Sequence, residues 1–219
     1  MYQGGYVLEL LGVFLYATAW LCTLSAIIMS QWLTLSTALL PTESYELGLW
    51  ETCVVQELGG GTQCRPYTSL LGLPPDIRLA RTLMCSAAAC GLLGLLLAVP
   101  GLHVVNSCRG AGALRAKRAA KLLGGALCLA AGALALAPVS YMAHLTVLRF
   151  FDESVPDVVP RWEFGHALFC GWTAGFLHLA GGTLLLSSCF CWQGHAHPPR
   201  PSTHEGEAAG PNAVKSEYV

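Results

Sequence analysis

Charged residues are scarce in this chain of 219 residues. Only 11% are Asp, Glu, Lys or Arg, while 54% are hydrophobic, and the mean hydropathy is +0.53. So few charges exclude a soluble domain of ordinary composition. The 12 basic and 13 acidic residues nearly cancel, so no overall charge attracts the chain to nucleic acid or to an acidic substrate. The composition indicates a membrane protein.

Motifs for catalysis and metal binding are missing as well. The sequence has no Cys-x-x-Cys pair for redox chemistry, and its seven histidines are scattered without cysteine or carboxylate partners at metal-ligand spacing. His195 and His197 could bind a metal only weakly, because the tail around them offers no preorganised further ligands. We therefore expect no enzymatic activity, no cofactor and no metal.

Four apolar stretches are present, and each is long enough to cross a bilayer. A hydrocarbon core of about 30 Å is crossed by about 20 helical residues. The stretches cover residues of about 6–29, 79–105, 122–145 and 165–189. The first contains one charge, Glu9, which we interpret as snorkelling to the head groups without a functional role. No basic residue precedes it and its apolar run exceeds a usual signal core, so we predict a retained helix.

The basic residues predict the orientation in the membrane. The link between the second and third stretches contains no acidic residue and five basic ones: Arg109, Arg115, Lys117, Arg118 and Lys121. Short cytoplasmic loops retain Lys and Arg, so we expect this link and both termini in the cytosol, and residues of about 31–78 and 146–164 outside. Residues 1–192 then form one four-span domain. The polar residues 193–219 form a disordered cytoplasmic tail.

Two of the ten cysteines fall in a predicted outer loop, on the oxidising side of the membrane: Cys53 and Cys64. Residues 49–56 are typical of a strand, and the glycines at 59–61 favour a turn, which together predict a hairpin. The two cysteines lie almost symmetrically about the turn, so we predict a disulfide between them and not two free thiols. Its expected stabilisation is about 3 kcal/mol.

The first outer loop also contains a pattern of Trp, Gly-Leu-Trp, Cys and Cys, followed by an Arg that opens the second stretch. The residues are Trp32, Gly48, Leu49, Trp50, Cys53, Cys64 and Arg81. In this pattern the chain resembles the claudins of tight junctions, and the similarity continues through residues 69–74, 138–140 and 161–172. One departure is that ten residues separate the two cysteines, where many claudins have nine.

The resemblance, together with the apolar stretches, implies a left-handed four-helix transmembrane bundle that carries a small extracellular antiparallel β-sheet. It implies a function in the plasma membrane at tight junctions, where copies polymerise into strands that form a paracellular barrier or a charge-selective ion channel. The implied partners are the chain itself, other claudins and membrane lipid, with no nucleic acid. Trp32 and Trp50 are either a wedge that holds the loop near the bilayer or simple interfacial anchors.

Two other classes of protein are possible. Calcium-channel gamma subunits share parts of the loop pattern, so an auxiliary subunit of a channel or receptor is the main alternative. A four-helix quinone-linked thiol oxidoreductase is the other, but it requires the missing Cys-x-x-Cys pair.

The ion selectivity of such a protein depends on charges in the first loop. Five acidic residues against two basic ones give this loop a balance of −3, which alone favours cations. In pore-forming claudins, however, the position after the second cysteine tends to hold the selectivity charge, and here it is Arg65. Glu57 could neutralise Arg65 from across the hairpin. Anion selectivity, a barrier and a simple solvated charge are all consistent with this pattern.

Subunit contacts are a further implication. In similar claudins, the residue matching Leu70 inserts beside aromatic side chains of a neighbour that match Phe150, Phe151 and Phe164. The alternative is loop packing within one subunit.

Two features concern the cytoplasmic side. Lys215, Tyr218 and Val219 resemble the claudin ending that binds PDZ scaffolds of the zonula occludens type. Cys108, Cys189 and Cys191 are candidates for palmitoylation, or else they are buried thiols.

Overall fold

The structure, a computed structural model, describes residues 2–36, 43–56, 60–69, 72–102, 111–152 and 160–191. Within these ranges are four helices long and apolar enough to cross a membrane. They are α1 (Tyr2–Ile28), α2 (Pro75–Gly101), α3 (Ala111–Phe150) and α4 (His166–Cys191). The predicted four-helix class is confirmed.

The bounds of α2 and α3 differ most from those of the predicted stretches. Helix α2 begins at Pro75, four residues early, because proline suits the first helical position and Asp76 favours the first turn. Helix α3 has 40 residues and passes both ends of its apolar stretch. Its extra turns consist mainly of Ala, Leu, Lys and Arg, which favour helix without being uniformly apolar.

Small residues let the helices approach closely. A Cβ atom added to Gly124 of α3 would lie 2.9 Å from the carbonyl oxygen of Gly94 in α2, and one added to Gly181 of α4 would lie 3.1 Å from that of Gly12 in α1. Packing of this kind holds helices together where lipid removes the hydrophobic driving force.

A polar cluster that the sequence analysis did not predict lies inside the bundle, where His178, Thr23 and Cys128 are all 0% exposed. The Thr23 hydroxyl oxygen lies 3.0 Å from the Ala19 carbonyl oxygen and 3.2 Å from His178 Nε2, within hydrogen-bond distance of both. Cys128 Sγ donates to the His178 carbonyl at 3.1 Å. The cluster therefore connects α1, α3 and α4 through groups that lipid could not satisfy.

The interpretation of Glu9 as a snorkelling side chain is wrong. Glu9 is 4% exposed and forms an ion pair with Lys121 of α3, which is also 4% exposed. The pair lies at the bundle end opposite the sheet. The sequence could not indicate this contact because the partners are 112 residues apart. A buried charge in a membrane helix requires such a partner.

A five-stranded sheet lies at the other end of the bundle. Its strands are β1 (Leu33–Ser36), β2 (Glu43–Leu47), β3 (Glu51–Gln56), β4 (Gly61–Pro66) and β5 (Trp162–Phe164). Their order is β4-β3-β2-β1-β5, and every neighbouring pair is antiparallel. The predicted hairpin is β3–β4, and Gly60 in its turn has a φ of 63°, a conformation that favours glycine. The predicted sheet, with one strand from the second loop, is confirmed.

Candidate functional site

The two tryptophans of the loop pattern cap the C-terminal end of α1. The last four carbonyls of any helix lack intrahelical donors. Trp32 Nε1 donates to the Ala26 carbonyl at 2.8 Å, and Trp50 Nε1 donates to the Ile27 carbonyl at 3.0 Å. Trp32 is 1% exposed, whereas Trp50 is 45% exposed. Both indoles thus join the sheet directly to the end of a membrane helix.

Arg81 joins the same loop to α2. Its Nε donates to the Leu49 carbonyl at 3.0 Å, and its Nη2 donates to the same oxygen. Its guanidinium lies 4.4 Å from the ring centroid of Trp50 and 5.8 Å from that of Tyr67. Arg81 is only 8% exposed. The carbonyl and the two aromatic faces compensate for the desolvation of this cation. We call these contacts of Arg81 the Arg81 anchor.

Gly48 is required by the close approach of the loop to the helix end. A Cβ atom at this position would lie 2.7 Å from the Cα of Ser30. Its amide donates to the Glu51 carbonyl at 3.0 Å, and its carbonyl accepts from the Tyr67 hydroxyl at 3.2 Å. Leu49, next in the chain, is 1% exposed and belongs to the hydrophobic core. The residues of the loop pattern therefore form one set of contacts that holds the sheet against the ends of α1 and α2.

The predicted disulfide is present between Cys53 and Cys64, which are register partners in β3 and β4.

The strand register also separates charged side chains between the two faces of the sheet. The disulfide lies in the same cross-strand row as Glu46 and Glu163. Arg65, one residue along, pairs with Thr52, and successive side chains point to opposite faces.

Three glutamates, Glu46, Glu51 and Glu163, thus lie on the face opposite to Arg65. Glu43 shares the face of Arg65 but lies four rows away, where it accepts from Gln56 at 3.3 Å. The overall balance of −3 in the loop therefore does not describe the surroundings of Arg65. Glu57 lies outside the described residues, and its proposed pairing with Arg65 stays a prediction.

An apolar groove of about 420 Å³ borders β5, between this strand and the end of α3. Its lining residues are Thr146, Val147, Phe150, Phe151, Trp162, Glu163 and Phe164. Three of them are the predicted contact aromatics, which the structure brings together. Phe151 is 72% exposed and Phe164 is 37% exposed, so the groove presents aromatic surface. Leu70, the predicted partner side chain, lies outside the described residues.

Arg161 supports this groove and was not singled out as a site residue. Its Nη1 donates to the Phe150 carbonyl at the end of α3, and its guanidinium lies 5.5 Å from the Phe150 ring centroid. A cation at a helix C-terminus is favourable because the terminal carbonyls carry partial negative charge. The only sequence signal was its place at the start of the 161–172 stretch that resembles claudins.

One grouping has metal-ligand spacing but not the chemistry. Ligand atoms of Glu51, Cys53 and Cys64 lie within 4.8 Å of one another. Both sulfurs are joined in the disulfide, so neither is the thiolate that a metal binds.

Several residues that the sequence predicts to be cytoplasmic are not described by the structure. Cys108, Lys215, Tyr218 and Val219 lie outside the described residues, as does the side chain of Cys191. Cys189 is described and is 3% exposed.

Comparisons with known proteins give one consistent result. The model of the PMP-22/EMP/MP20/Claudin family matches residues 6–185. Claudin-3 of Rattus norvegicus is 34% identical over 97% of this chain and 98% of its own length. Claudin-19 of Homo sapiens is 35% identical, with 97% of this chain and 92% of its own length covered. Claudin-5 of Mus musculus is 32% identical, with 99% of this chain and 100% of its own length covered.

Proposed function

Because the chain belongs to the PMP-22/EMP/MP20/Claudin family, we propose that it is a multi-pass membrane protein of tight junctions that polymerises into strands. These strands form a paracellular barrier or a charge-selective paracellular channel. The protein acts as a structural adhesion molecule and catalyses no reaction. The observation that carries the proposal is a sheet held firmly on four membrane helices, with an exposed aromatic groove at one edge.

The sheet faces the extracellular space, and both termini lie in the cytosol. Two features support this orientation. The disulfide of β3–β4 requires the oxidising side of the membrane. The basic start of α3 lies at the bundle end opposite the sheet, as short cytoplasmic loops require. Epitopes inserted at the turn near Gly60 and at the C-terminus test this: antibody on intact cells should label only the first.

Copies in one membrane associate when Leu70 of one subunit enters the aromatic groove of the next. Burying an apolar side chain of this size is worth about 1.5–3 kcal/mol, and the groove keeps its aromatic surface accessible without a partner. Other claudins, which belong to the same family, are the expected mixed partners.

The test is expression in fibroblasts that lack tight junctions, followed by freeze-fracture imaging. The wild-type chain should form continuous strands, which an auxiliary channel or receptor subunit would not. Leu70→Asp should reach the cell surface but form none, whereas Leu70→Met, which keeps the apolar bulk, should form them. Continuous strands from Leu70→Asp would overturn the proposed contact.

The cytoplasmic tail binds PDZ scaffolds of the zonula occludens type through the carboxylate of Val219, next to Tyr218, with Lys215 upstream. An apolar last residue with a free carboxylate is what a PDZ groove accepts by strand addition. A tail peptide should capture such scaffolds in a pull-down, and the same peptide with a C-terminal amide should not.

Cysteines predicted near the cytoplasmic membrane surface are candidates for acylation. We propose Cys108 and Cys191 as its sites. Cys189 is a poorer acceptor because its thiol is buried. Acyl exchange followed by mass spectrometry would measure each site separately.

A further inference from the structure

The strand register collects apolar side chains on the face of the sheet that carries Arg65. Successive side chains of a strand point to opposite faces, so every second cross-strand row lies on the same face. Two such rows are Gln63–Val54–Tyr45–Leu35–Trp162 and Arg65–Thr52–Leu47–Leu33–Phe164. Their polar members are confined to β3 and β4, and from β2 to β5 both rows are entirely aliphatic or aromatic. We call the surface formed by these two rows the Arg65 face.

The opposite face of the sheet has a different chemistry. Its corresponding rows are Cys64–Cys53–Glu46–Thr34–Glu163 and Thr62–Val55–Ser44–Ser36. Val55 is the one aliphatic residue in these two rows. The Glu46 carboxylate accepts hydrogen bonds from Gln31 at 2.7 Å and from Ser30 at 3.4 Å, which ties this face to the link between α1 and β1. The apolar rows are therefore a property of one face and not of the whole sheet.

The Arg65 face borders the proposed contact between neighbouring subunits. Trp162 and Phe164 belong to its rows and also line the aromatic groove. A neighbour that enters the groove therefore lies beside this face. Leu35, Tyr45 and Val54 continue the face away from the groove and are half-buried in the single chain, so part of their apolar surface contacts water. Contiguous apolar surface of this kind is typical of a contact with another protein surface.

We propose that the Arg65 face lines the gap to the next copy of the chain and that its apolar rows make the strands a barrier to ions. The inference rests on the proposed function and decides between its two forms, barrier and channel. A narrow passage with apolar walls loses its water, and an ion in it has no polar group to replace its hydration shell. Among the described strand residues, the charges on this side of the sheet are Arg65, at the β4 margin, and Glu43, which accepts from Gln56 at 3.3 Å. Neither lies in the apolar part of the two rows.

The test compares two neighbouring valines of β3. Val54 lies on the Arg65 face and Val55 on the opposite face, and both are half-buried. The full chain, Val54→Glu and Val55→Glu are expressed in epithelial cells that lack claudins, and the monolayers are measured for transepithelial resistance and dilution potentials. Val54→Thr and Val55→Thr form a milder pair, because threonine keeps the branched shape and the preference for strands. Freeze-fracture imaging of the same monolayers shows whether strands form.

The wild-type strands should raise the resistance above that of untransfected monolayers. Val54→Glu should keep the strands and raise sodium conductance about tenfold, because a carboxylate in a low-dielectric passage attracts a cation more strongly than one in water. Val55→Glu should match the wild type. If a glutamate variant stays inside the cell, the threonine pair decides, with higher conductance expected for Val54→Thr alone.

Two results would overturn the inference while leaving the proposed function in place. The first is equal conductance of the Val54 and Val55 variants in monolayers that contain strands. The second is a wild-type chain whose strands lower the resistance. Absence of strands from the wild-type chain would instead overturn the proposed function itself.

Discussion

The two edges of the sheet differ in nearly every physical property. All six residues of β4 are exposed, and this edge is held by the disulfide and carries Arg65. The β5 edge has three residues, lies beside α3 and borders an aromatic groove. Proline and a charged residue at the end of β4 limit uncontrolled pairing of its open backbone groups. The β4 edge is polar and disulfide-bonded, and the β5 edge is apolar and supported by α3.

The difference assigns separate roles in the proposed function. A polar edge with a fixed charge can influence which ion passes, whereas an apolar groove can hold a neighbouring subunit. Both edges rest on the same base, which consists of the indole caps on α1 and the Arg81 anchor. Changes at the base should therefore affect both edges, and changes at one edge should leave the other intact.

The largest effect is expected at the shared base. Arg81→Ala removes the donors to the Leu49 carbonyl and the cation above Trp50. Charged hydrogen bonds and cation–π contacts together suggest a loss of about 4 kcal/mol of folding free energy. Thermal unfolding in detergent measures it, with the exposed Arg78→Ala as the control three residues earlier in the sequence. Equal unfolding midpoints for the two variants would contradict a stabilising role of the Arg81 anchor.

Removal of the disulfide should destabilise the β4 edge and leave the β5 edge unchanged. In Cys53→Ala/Cys64→Ala the β4 edge loses about 3 kcal/mol of stabilisation. Amide hydrogen exchange should then become faster in β3 and β4 but stay unchanged in β5. The exposed Cys85→Ala is the matched cysteine control. Faster exchange at β5 as well would mean that the edges are not independent.

The groove should contribute to association and not to folding. Phe151 is 72% exposed, so Phe151→Ala should leave the unfolding midpoint unchanged while weakening contact between copies by about 2 kcal/mol. Energy transfer between labelled copies in one membrane measures this contact. Phe176→Ala, which removes an aromatic ring of 63% exposure from α4, should have no effect on transfer. If both variants lose transfer equally, the groove is not the contact.

The smallest effect is expected from the exposed charge of the polar edge. Arg65→Asp should shift the permeability ratio of epithelial monolayers toward sodium by about fivefold, because two unit charges about 8 Å apart in water interact by about 0.5 kcal/mol and a charge reversal changes the interaction by twice that amount. Dilution potentials measure the ratio, and lower salt should enlarge the shift. Arg78→Asp carries the same charge change away from the sheet. An equal shift with Arg78→Asp would show that Arg65 has no specific influence on ion selectivity.

Features with local causes could be predicted from the sequence. The four helices follow from runs of about 20 apolar residues. The β3–β4 hairpin follows from strand-forming residues on either side of glycines, and the disulfide follows from the symmetry of Cys53 and Cys64 about that turn. Each of these depends on one short, continuous stretch of the sequence.

Contacts between distant segments could not be predicted. The sequence marked Arg81 and Trp50 but not their acceptors, because these are backbone carbonyls of Leu49 and Ile27 that any residue could supply. The ion pair of Glu9 depends on a helix more than a hundred residues later. The separation of charges between sheet faces depends on strand register, and total loop charge does not record it.

The Glu9–Lys121 pair has a consequence for the order of events during synthesis. Helix α1 leaves the ribosome long before Lys121 is made, so the Glu9 carboxylate lacks the Lys121 cation when the helix first enters the lipid. A carboxylate in a bilayer is more costly without a cation beside it, which favours a shallow early position for α1. Arrival of α3 then lets the first helix reach its final depth, and the final step of insertion depends on the third span.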